Sequence, residues 1–130
     1  MKIKFLAASH TMSPSFYEFS GDVVKVHYNG LVESYDLGEL PENATLDKVE
    51  KIHGVLPVYS AIRENGEINI ILLQGVGPGY WGESDWMDSA NYDPDAIHVQ
   101  YDATRPHAGA PFAYTRQGTV SPLNDEDTHG

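Results

Sequence analysis

The sequence VVKVHYNGLVESYDL occupies residues 23–37 and contains two alternating runs joined by Asn29-Gly30. Alternation of apolar and polar residues at every second position is typical of a β-strand that buries one face. Asn and Gly both tolerate the positive φ angles of a type I′ turn, so the pair predicts a two-residue β-hairpin. The cross-strand pairs that follow are Tyr28 with Leu31, Val26 with Glu33 and Val24 with Tyr35.

Similar patterns on both sides extend this hairpin into a β meander. A second Asn-Gly pair, Asn65-Gly66, joins two further strand-like runs. Residues 41–53 carry apolar side chains at helical spacing, which favours one short helix, with an irregular connection as the alternative. We therefore expect a mainly β fold, a small antiparallel meander, sandwich or barrel with at most one short helix. The predicted strands cover residues 2–6, 16–19, 23–28, 31–37, 58–63 and 67–73.

The composition of the chain changes near Gly75. Residues 75–130 are rich in Gly, Pro, Trp, Tyr and Asp and lack regular periodicity, apart from one alternating run over residues 97–101. Long irregular segments in compact proteins are usually functional or disordered. We therefore predict a β domain over residues 1–74 and a largely irregular, aromatic and acidic C-terminal extension over residues 75–130, with a short strand at 97–101.

Composition and charge exclude several classes of function. The 130 residues include 19 acidic and 8 basic side chains, a net charge of −11, and no cysteine. Disulfides and thiolate chemistry are therefore absent. The acidic excess is the opposite of the cationic footprint that nucleic acids and anionic membranes attract. We expect partners that are other protein subunits, among them copies of the chain itself, with no direct binding to nucleic acid or membranes.

No motif in the chain is typical of an enzyme. The sequence lacks G-x-S-x-G and H-E-x-x-H, and Gly75-Val76-Gly77-Pro78-Gly79 does not have the spacing of a dinucleotide-binding loop. We predict that the protein is not an enzyme and has no catalytic residues.

A calcium site is the alternative to a protein without cofactors. Asn91, Asp93 and Asp95 alternate like the ligands of a calcium loop, and Asp102 falls at the twelfth position. However, Ala96 stands where the loop needs glycine, so we predict no metal ligands and no cofactor.

The candidate interaction residues are large aromatic side chains in the C-terminal segment. Tryptophan and tyrosine are enriched at protein interfaces and carry much of their binding energy. For the two tryptophans, packing over the sheet is the alternative. The predicted interface residues are Tyr80, Trp81, Trp86, Tyr92, Phe112 and Tyr114, with Arg105 and Arg116 as polar anchors.

Two groups of sequence motifs carry a resemblance to a known class of proteins. The first comprises Ser13-Pro14-Ser15-Phe16-Tyr17-Glu18-Phe19, the Asn29-Gly30 hairpin and Tyr35-Asp36-Leu37. The second comprises Val76-Gly77-Pro78-Gly79, Glu83-Ser84-Asp85-Trp86-Met87-Asp88 and Asp93-Pro94-Asp95-Ala96. These stretches resemble small proteins encoded in the tail gene clusters of tailed phages and prophages. The resemblance implies a structural role at the tail tip or baseplate, first in the host cytoplasm during assembly and then in the virion tail.

The functional expectation is a structural protein–protein interaction module of a multi-subunit assembly, with a phage tail tip or baseplate as the leading case. The strong acidity leaves an alternative, a decoy that inhibits a DNA-binding host defence protein. A calcium-binding or catalytic β domain is the third hypothesis.

Overall fold

The fold is described by a computed structural model over residues 1–47, 54–102, 104 and 109–121. These residues form short and medium strands and one 3₁₀ turn at Ser89–Asn91, so the expected mainly β fold is confirmed. The strands are β1 (Lys2–Ser9), β2 (Phe16–Ser20), β3 (Val23–Tyr28), β4 (Leu31–Asp36), β5 (Thr45–Asp47), β6 (Ser60–Glu64), β7 (Glu67–Val76), β8 (Tyr80–Trp81), β9 (Met87–Asp88), β10 (Gln100–Tyr101), β11 (Ala113–Thr115) and β12 (Gly118–Val120).

The largest sheet is built around β7. On one side β7 runs parallel to β1, from the pair Lys2–Asn69 to the pair Ser9–Val76, and β9 continues the sheet beyond β1. On its other side, β7 pairs first with β6 and then, at Val76, with β11. Strand β5 pairs with the far edge of β6, and β12 pairs with β11. The β1–β7 pair is therefore parallel, unlike the antiparallel arrangement that the neighbouring hairpins predicted.

The hairpin at Asn29-Gly30 forms in the predicted register. Asn29 has φ 49° and Gly30 has φ 76°, as a type I′ turn requires. Tyr28 pairs with Leu31, and the ladder continues to Val23 and Asp36. With β2 on the other side of β3, these strands form a separate three-stranded sheet in the order β2-β3-β4.

A third, two-stranded sheet is formed by β8 and β10, and one apolar core joins the seven-stranded and three-stranded sheets. From the three-stranded sheet it receives Val24 and Val26, and from the large sheet Phe5, Ile70 and Leu72, all of them buried. Burial of apolar side chains from both sheets in one cluster is the arrangement of a β-sandwich.

The short helix predicted over residues 41–53 is wrong for its described part. Asn43 has φ 64°, a left-handed conformation that ends any helix at this point. Thr45–Asp47 then pairs with Ser60–Ile62 of β6, so these backbone groups enter the sheet instead of a helix. Residues 48–53 lie outside the described residues.

The predicted boundary between residues 74 and 75 falls inside β7. Beyond it, Tyr80, Val99 and Ala113 belong to the same core as the first half of the chain. The segment from 75 to 121 is therefore packed into the sandwich over its described residues, which differs from the predicted extension. The alternating run at 97–101 forms a strand only at Gln100–Tyr101, and residues 122–130 lie outside the described part.

A tyrosine hydroxyl fills a gap along the edge of β7. Tyr59 donates its N–H to the carbonyl of Ile71. The next residue facing that edge is Leu73, and none of the described strands lies beside it. The Tyr17 hydroxyl accepts a hydrogen bond from the Leu73 N–H at 3.1 Å and donates one to the Leu73 carbonyl at 3.0 Å. One side chain from β2 thus satisfies both backbone groups of a buried residue in the other sheet.

Candidate functional site

The segment from Gly82 to Ser89 runs along the outer side of β1 and contains a β-bulge. Ser84 donates its N–H to the carbonyl of Phe5 at 2.8 Å, whereas Met87 pairs with Ile3. Two residues, Asp85 and Trp86, therefore stand opposite Lys4 alone. An extra residue of this kind bends the strand and changes the direction in which its side chains point.

The side chain of Ser84 stabilises this bulge. Its hydroxyl accepts a hydrogen bond from the N–H of Phe5 at 2.9 Å and donates one to the carbonyl of Asp85, also at 2.9 Å. Ser84 is buried with 7% of its surface exposed, so these bonds form away from bulk water. The backbone on the N-terminal side of Trp86 is therefore held by the hydrogen bonds of a buried side chain.

Trp86 lies over the face of the large sheet that points away from the core. Its ring centroid is 5.5 Å from the ammonium nitrogen of Lys4, which is also paired with Glu83 at 2.8 Å. Although Lys4 covers part of the ring, 46% of the Trp86 surface stays exposed. An exposed tryptophan held on a rigid strand is a suitable anchor for a partner surface.

A pocket of about 400 Å³ lies beside Trp86 on this sheet face. In β6 Ala61 points into the core, so Ser60, Ile62 and Glu64 point to the opposite face. The same alternation places alternate residues of β5 and β7 there, and we call this surface the Trp86 face. Its lining residues are Thr45, Asp47, Ser60, Ala61, Ile62, Glu64, Asn69, Ile71 and Trp86.

The Trp86 face combines apolar area with uncompensated negative charge. Ile62 and Ile71 contribute apolar surface beside the tryptophan ring. Neither Asp47 nor Glu64 has an ion-pair partner among the described residues. A tryptophan ring and nearby carboxylates both attract cations, so the arrangement can bind an ammonium or guanidinium group.

Two of the six predicted aromatic interface residues pack inside the fold. Tyr80 is 7% exposed and belongs to the core. Tyr92 packs against Phe5 with ring centroids 5.4 Å apart, and its hydroxyl accepts a hydrogen bond from the N–H of Tyr17 at 3.1 Å. Burial raises the pKa of the Tyr92 hydroxyl above its ordinary range.

Phe112 and Tyr114 cover the glycines at the end of β7. A Cβ atom at Gly77 would lie 2.2 Å from Cε1 of Phe112, and one at Gly75 would lie 3.0 Å from Cδ2 of Tyr114. The His10 ring packs edge-on against both rings, and its centroid is 5.0 Å from that of Phe112 and 5.5 Å from that of Tyr114. The rings of Phe112 and Tyr114 lie so close to the backbone that residues 77 and 75 have little room for a side chain, which explains why both are glycines.

The remaining predicted residues occupy different places. Arg116 donates to both carboxylate oxygens of Asp95, from Nε at 2.9 Å and from Nη2 at 2.5 Å. This bidentate pair lowers the pKa of the Asp95 carboxyl. Trp81 lies in β8 and is 39% exposed, whereas Arg105 lies outside the described residues.

The residues considered for calcium do not converge in the described structure. Asp95 is held by Arg116, and Asp93 accepts a hydrogen bond from the N–H of Asp95 at 2.9 Å. Asp102 accepts hydrogen bonds from both the N–H and the hydroxyl of Thr104. Within the described ranges, no three histidine, aspartate or glutamate side chains come together in a way that could hold a metal ion.

Sequence reasoning selected Trp86 but missed the acidic side of its pocket. Asp47 fell in the predicted helix, and Glu64 fell in the predicted turn. The alternation of side chains along β6 could have located this acidic residue. If Ala61 points into the core, the residues that alternate with it point outward, which places Ile62 and Glu64 on the opposite face from Ala61 and on the same face as each other.

Comparison with known proteins gives no family for this chain. No protein-family model, no curated protein and no solved structure matches the sequence or the fold. Among the described residues there is also no helix with the length and apolar character needed to cross a membrane.

Proposed function

We propose that this chain is a structural protein–protein interaction module of a multi-subunit assembly, and that the assembly is the tail tip or baseplate of a tailed phage. The observation that supports the interaction role is the exposed Trp86, which a β-bulge holds beside a pocket. Two carboxylates of this pocket, Asp47 and Glu64, have no ion-pair partner within the described part of the chain. The phage setting is taken from the resemblance of the sequence motifs to tail-cluster proteins.

The chemistry of the Trp86 face favours a partner that presents lysine or arginine. Trp86 supplies a large, rigid contact area, and truncation of such anchors commonly costs more than 2 kcal/mol of binding energy, as an order-of-magnitude guide. Asp47 and Glu64 supply charge that a cationic side chain would neutralise. The net charge of −11 further accelerates encounter with a basic surface.

Affinity purification of the tagged full chain from its native source, followed by mass spectrometry, tests this proposal. Trp86→Ala is the variant, and Met12→Ala, which shortens another exposed apolar side chain, is the matched control. We expect tail proteins to be recovered with the unmodified chain and with Met12→Ala, and to be lost with Trp86→Ala. Thermal melting of both variants checks that folding is retained.

Other outcomes would replace the proposal. Recovery of a nuclease or another DNA-binding protein would favour the acidic decoy. Tail proteins retained equally by Trp86→Ala would mean that the assembly role is correct but the binding surface lies elsewhere.

A further inference from the structure

The outer edge of β4 is open. Within the described residues no strand pairs with this edge, although β3 pairs with the inner one along its whole length. Tyr28 and Leu31 close a two-residue turn and form a hydrogen-bonded pair. Because such pairs alternate along an antiparallel ladder, Val32, Ser34 and Asp36 direct their backbone N–H and C=O groups outward.

This edge lacks several of the features that usually prevent strands from associating, although it carries two acidic side chains, Glu33 and Asp36. β4 contains no proline, no lysine and no bulge between Leu31 and Asp36. Its apolar residues are also accessible, with Leu31 47% exposed and Val32 51% exposed. A regular strand of six residues with free backbone groups and exposed apolar side chains is a template for another strand.

We propose that β4 pairs in antiparallel fashion with β4 of a second copy of this chain, about a two-fold axis that passes beside Ser34. In this register Ser34 faces Ser34 of the second copy, and Val32 faces Asp36. On the other face of the strand, Glu33 faces Tyr35. The two three-stranded sheets then join into one continuous sheet.

The positions of the acidic residues and the length of β4 favour this register over two other symmetric registers, with the two-fold axis at Glu33 or at Val32. A two-fold axis at Glu33 would place two like carboxylates directly opposite each other, which is destabilising. An axis at Val32 would pair only the residues near the turn and leave the outward groups of Asp36 unused. The axis at Ser34 pairs every outward backbone group of β4 without opposing any carboxylate to its own copy.

This surface differs from the Trp86 face, and the inference does not depend on the proposed function. The Trp86 face belongs to the large sheet, whereas β4 belongs to the three-stranded sheet. A dimer formed through β4 leaves one Trp86 pocket on each copy. Two linked pockets would bind a repetitive partner with higher avidity than one.

Single cysteines test the register, because the natural chain contains none. In a hydrogen-bonded antiparallel pair the Cα atoms are about 5.5 Å apart, within the range of a disulfide. We expect Ser34→Cys to form a covalent dimer on mild oxidation. Val32→Cys is the matched control, since two such residues would be about 14 Å apart in this register, beyond the reach of a disulfide.

A mixture of Val32→Cys and Asp36→Cys chains gives a second, independent readout. These positions face each other in the proposed register, so we expect the mixed dimer and little of either homodimer. Light scattering of the unmodified chain should show a dimer whose population rises with concentration. Added salt should strengthen it, because two chains with a charge of −11 repel each other.

Ser34→Pro is the variant that removes the central outward N–H without affecting the ladder to β3. We expect it to weaken the dimer by about tenfold or more, equivalent to the loss of one or two hydrogen bonds. A monomer at high micromolar concentration, or a dimer in which Val32→Cys cross-links as readily as Ser34→Cys, would overturn the proposal. Selective cross-linking at Ser34→Cys supports it even if Ser34→Pro folds poorly.

Discussion

Tyr17→Phe should destabilise the fold strongly, because the Tyr17 hydroxyl hydrogen-bonds both backbone groups of Leu73 in β7, a residue beside which no described strand lies. The hydroxyl is 3.1 Å from the Leu73 nitrogen and 3.0 Å from the Leu73 oxygen. Tyr17 itself is 2% exposed, so water does not replace the lost contacts. Phenylalanine keeps the ring and its packing on Phe5, at 5.9 Å between centroids, and removes only the oxygen.

The magnitude follows from the two backbone groups left without partners. A buried donor or acceptor that loses its partner costs about 1–3 kcal/mol. Two such groups, with some relaxation of the neighbouring chain, give an expected loss of about 2–4 kcal/mol in the free energy of unfolding. This is a large share of the roughly 5–15 kcal/mol that stabilises a typical domain.

Tyr28→Phe is the matched control. Tyr28 is also 2% exposed, but its buried hydroxyl has no hydrogen-bond partner among the residues that the structure describes. Removing an unpaired buried hydroxyl costs no hydrogen bond, so we expect a change between zero and about 1 kcal/mol of added stability. The two substitutions thus delete the same atom from the same residue type with opposite expected signs.

Equilibrium unfolding in urea, followed by tryptophan fluorescence, measures both free energies. Equal slopes of the unfolding free energy against urea concentration are needed for a direct comparison. The reasoning is refuted if Tyr17→Phe stays within about 0.5 kcal/mol of the unmodified chain, a typical value for a neutral surface change. It is also refuted if Tyr28→Phe is as destabilising as Tyr17→Phe.

Three further predictions concern other parts of the fold. Burial raises the pKa of Tyr17 and Tyr92 above 10.0, so the unfolded chain releases these protons at a lower pH than the folded chain does. The free energy of unfolding should therefore fall as pH rises above about 10, and a urea midpoint that stays constant from about pH 9 to 11 would contradict this. Gly77→Ala would place a Cβ atom 2.2 Å from the Phe112 ring, and we expect a loss of about 1–3 kcal/mol with a changed near-UV circular dichroism spectrum. Arg63→Met removes a guanidinium that donates hydrogen bonds to the carbonyls of residues 37, 38, 40 and 66, so thermal melting should show a loss of about 2–3 kcal/mol in the free energy of unfolding. An unchanged melting temperature would mean that water replaces these hydrogen bonds.

The aromatic residues of the C-terminal segment show where sequence reasoning failed. Their density predicts one interface, yet Tyr92 and Phe112 pack against residues that are far away in the sequence. Tyr92 meets Phe5 and Tyr17, and Phe112 covers Gly77. Periodicity cannot identify such partners, because in an irregular segment no repeat tells which side of the chain faces the core.

The candidate site was predicted only in part for the same reason. Trp86 was selected from its residue type, but its exposure depends on the bulge opposite Lys4. That bulge exists because residues 82–89 pair with β1, and the paired residues Phe5 and Ser84 are 79 positions apart in the sequence. A one-residue offset between two distant strands leaves no local signal in the sequence.

Local sequence patterns were enough to predict the two Asn-Gly hairpins, the register of β3 with β4 and the mainly β class. These features depend on the φ preferences of two turn residues and on alternation over a few neighbours, so they are encoded within about ten residues. Three other features depend on the assembled fold: the parallel pairing of β1 with β7, the entry of Tyr80, Val99 and Ala113 into the core, and the exposure of Trp86. Each of these depends on contacts between segments separated by tens of residues, whose free energy comes from burial in a shared core and not from local conformational preference.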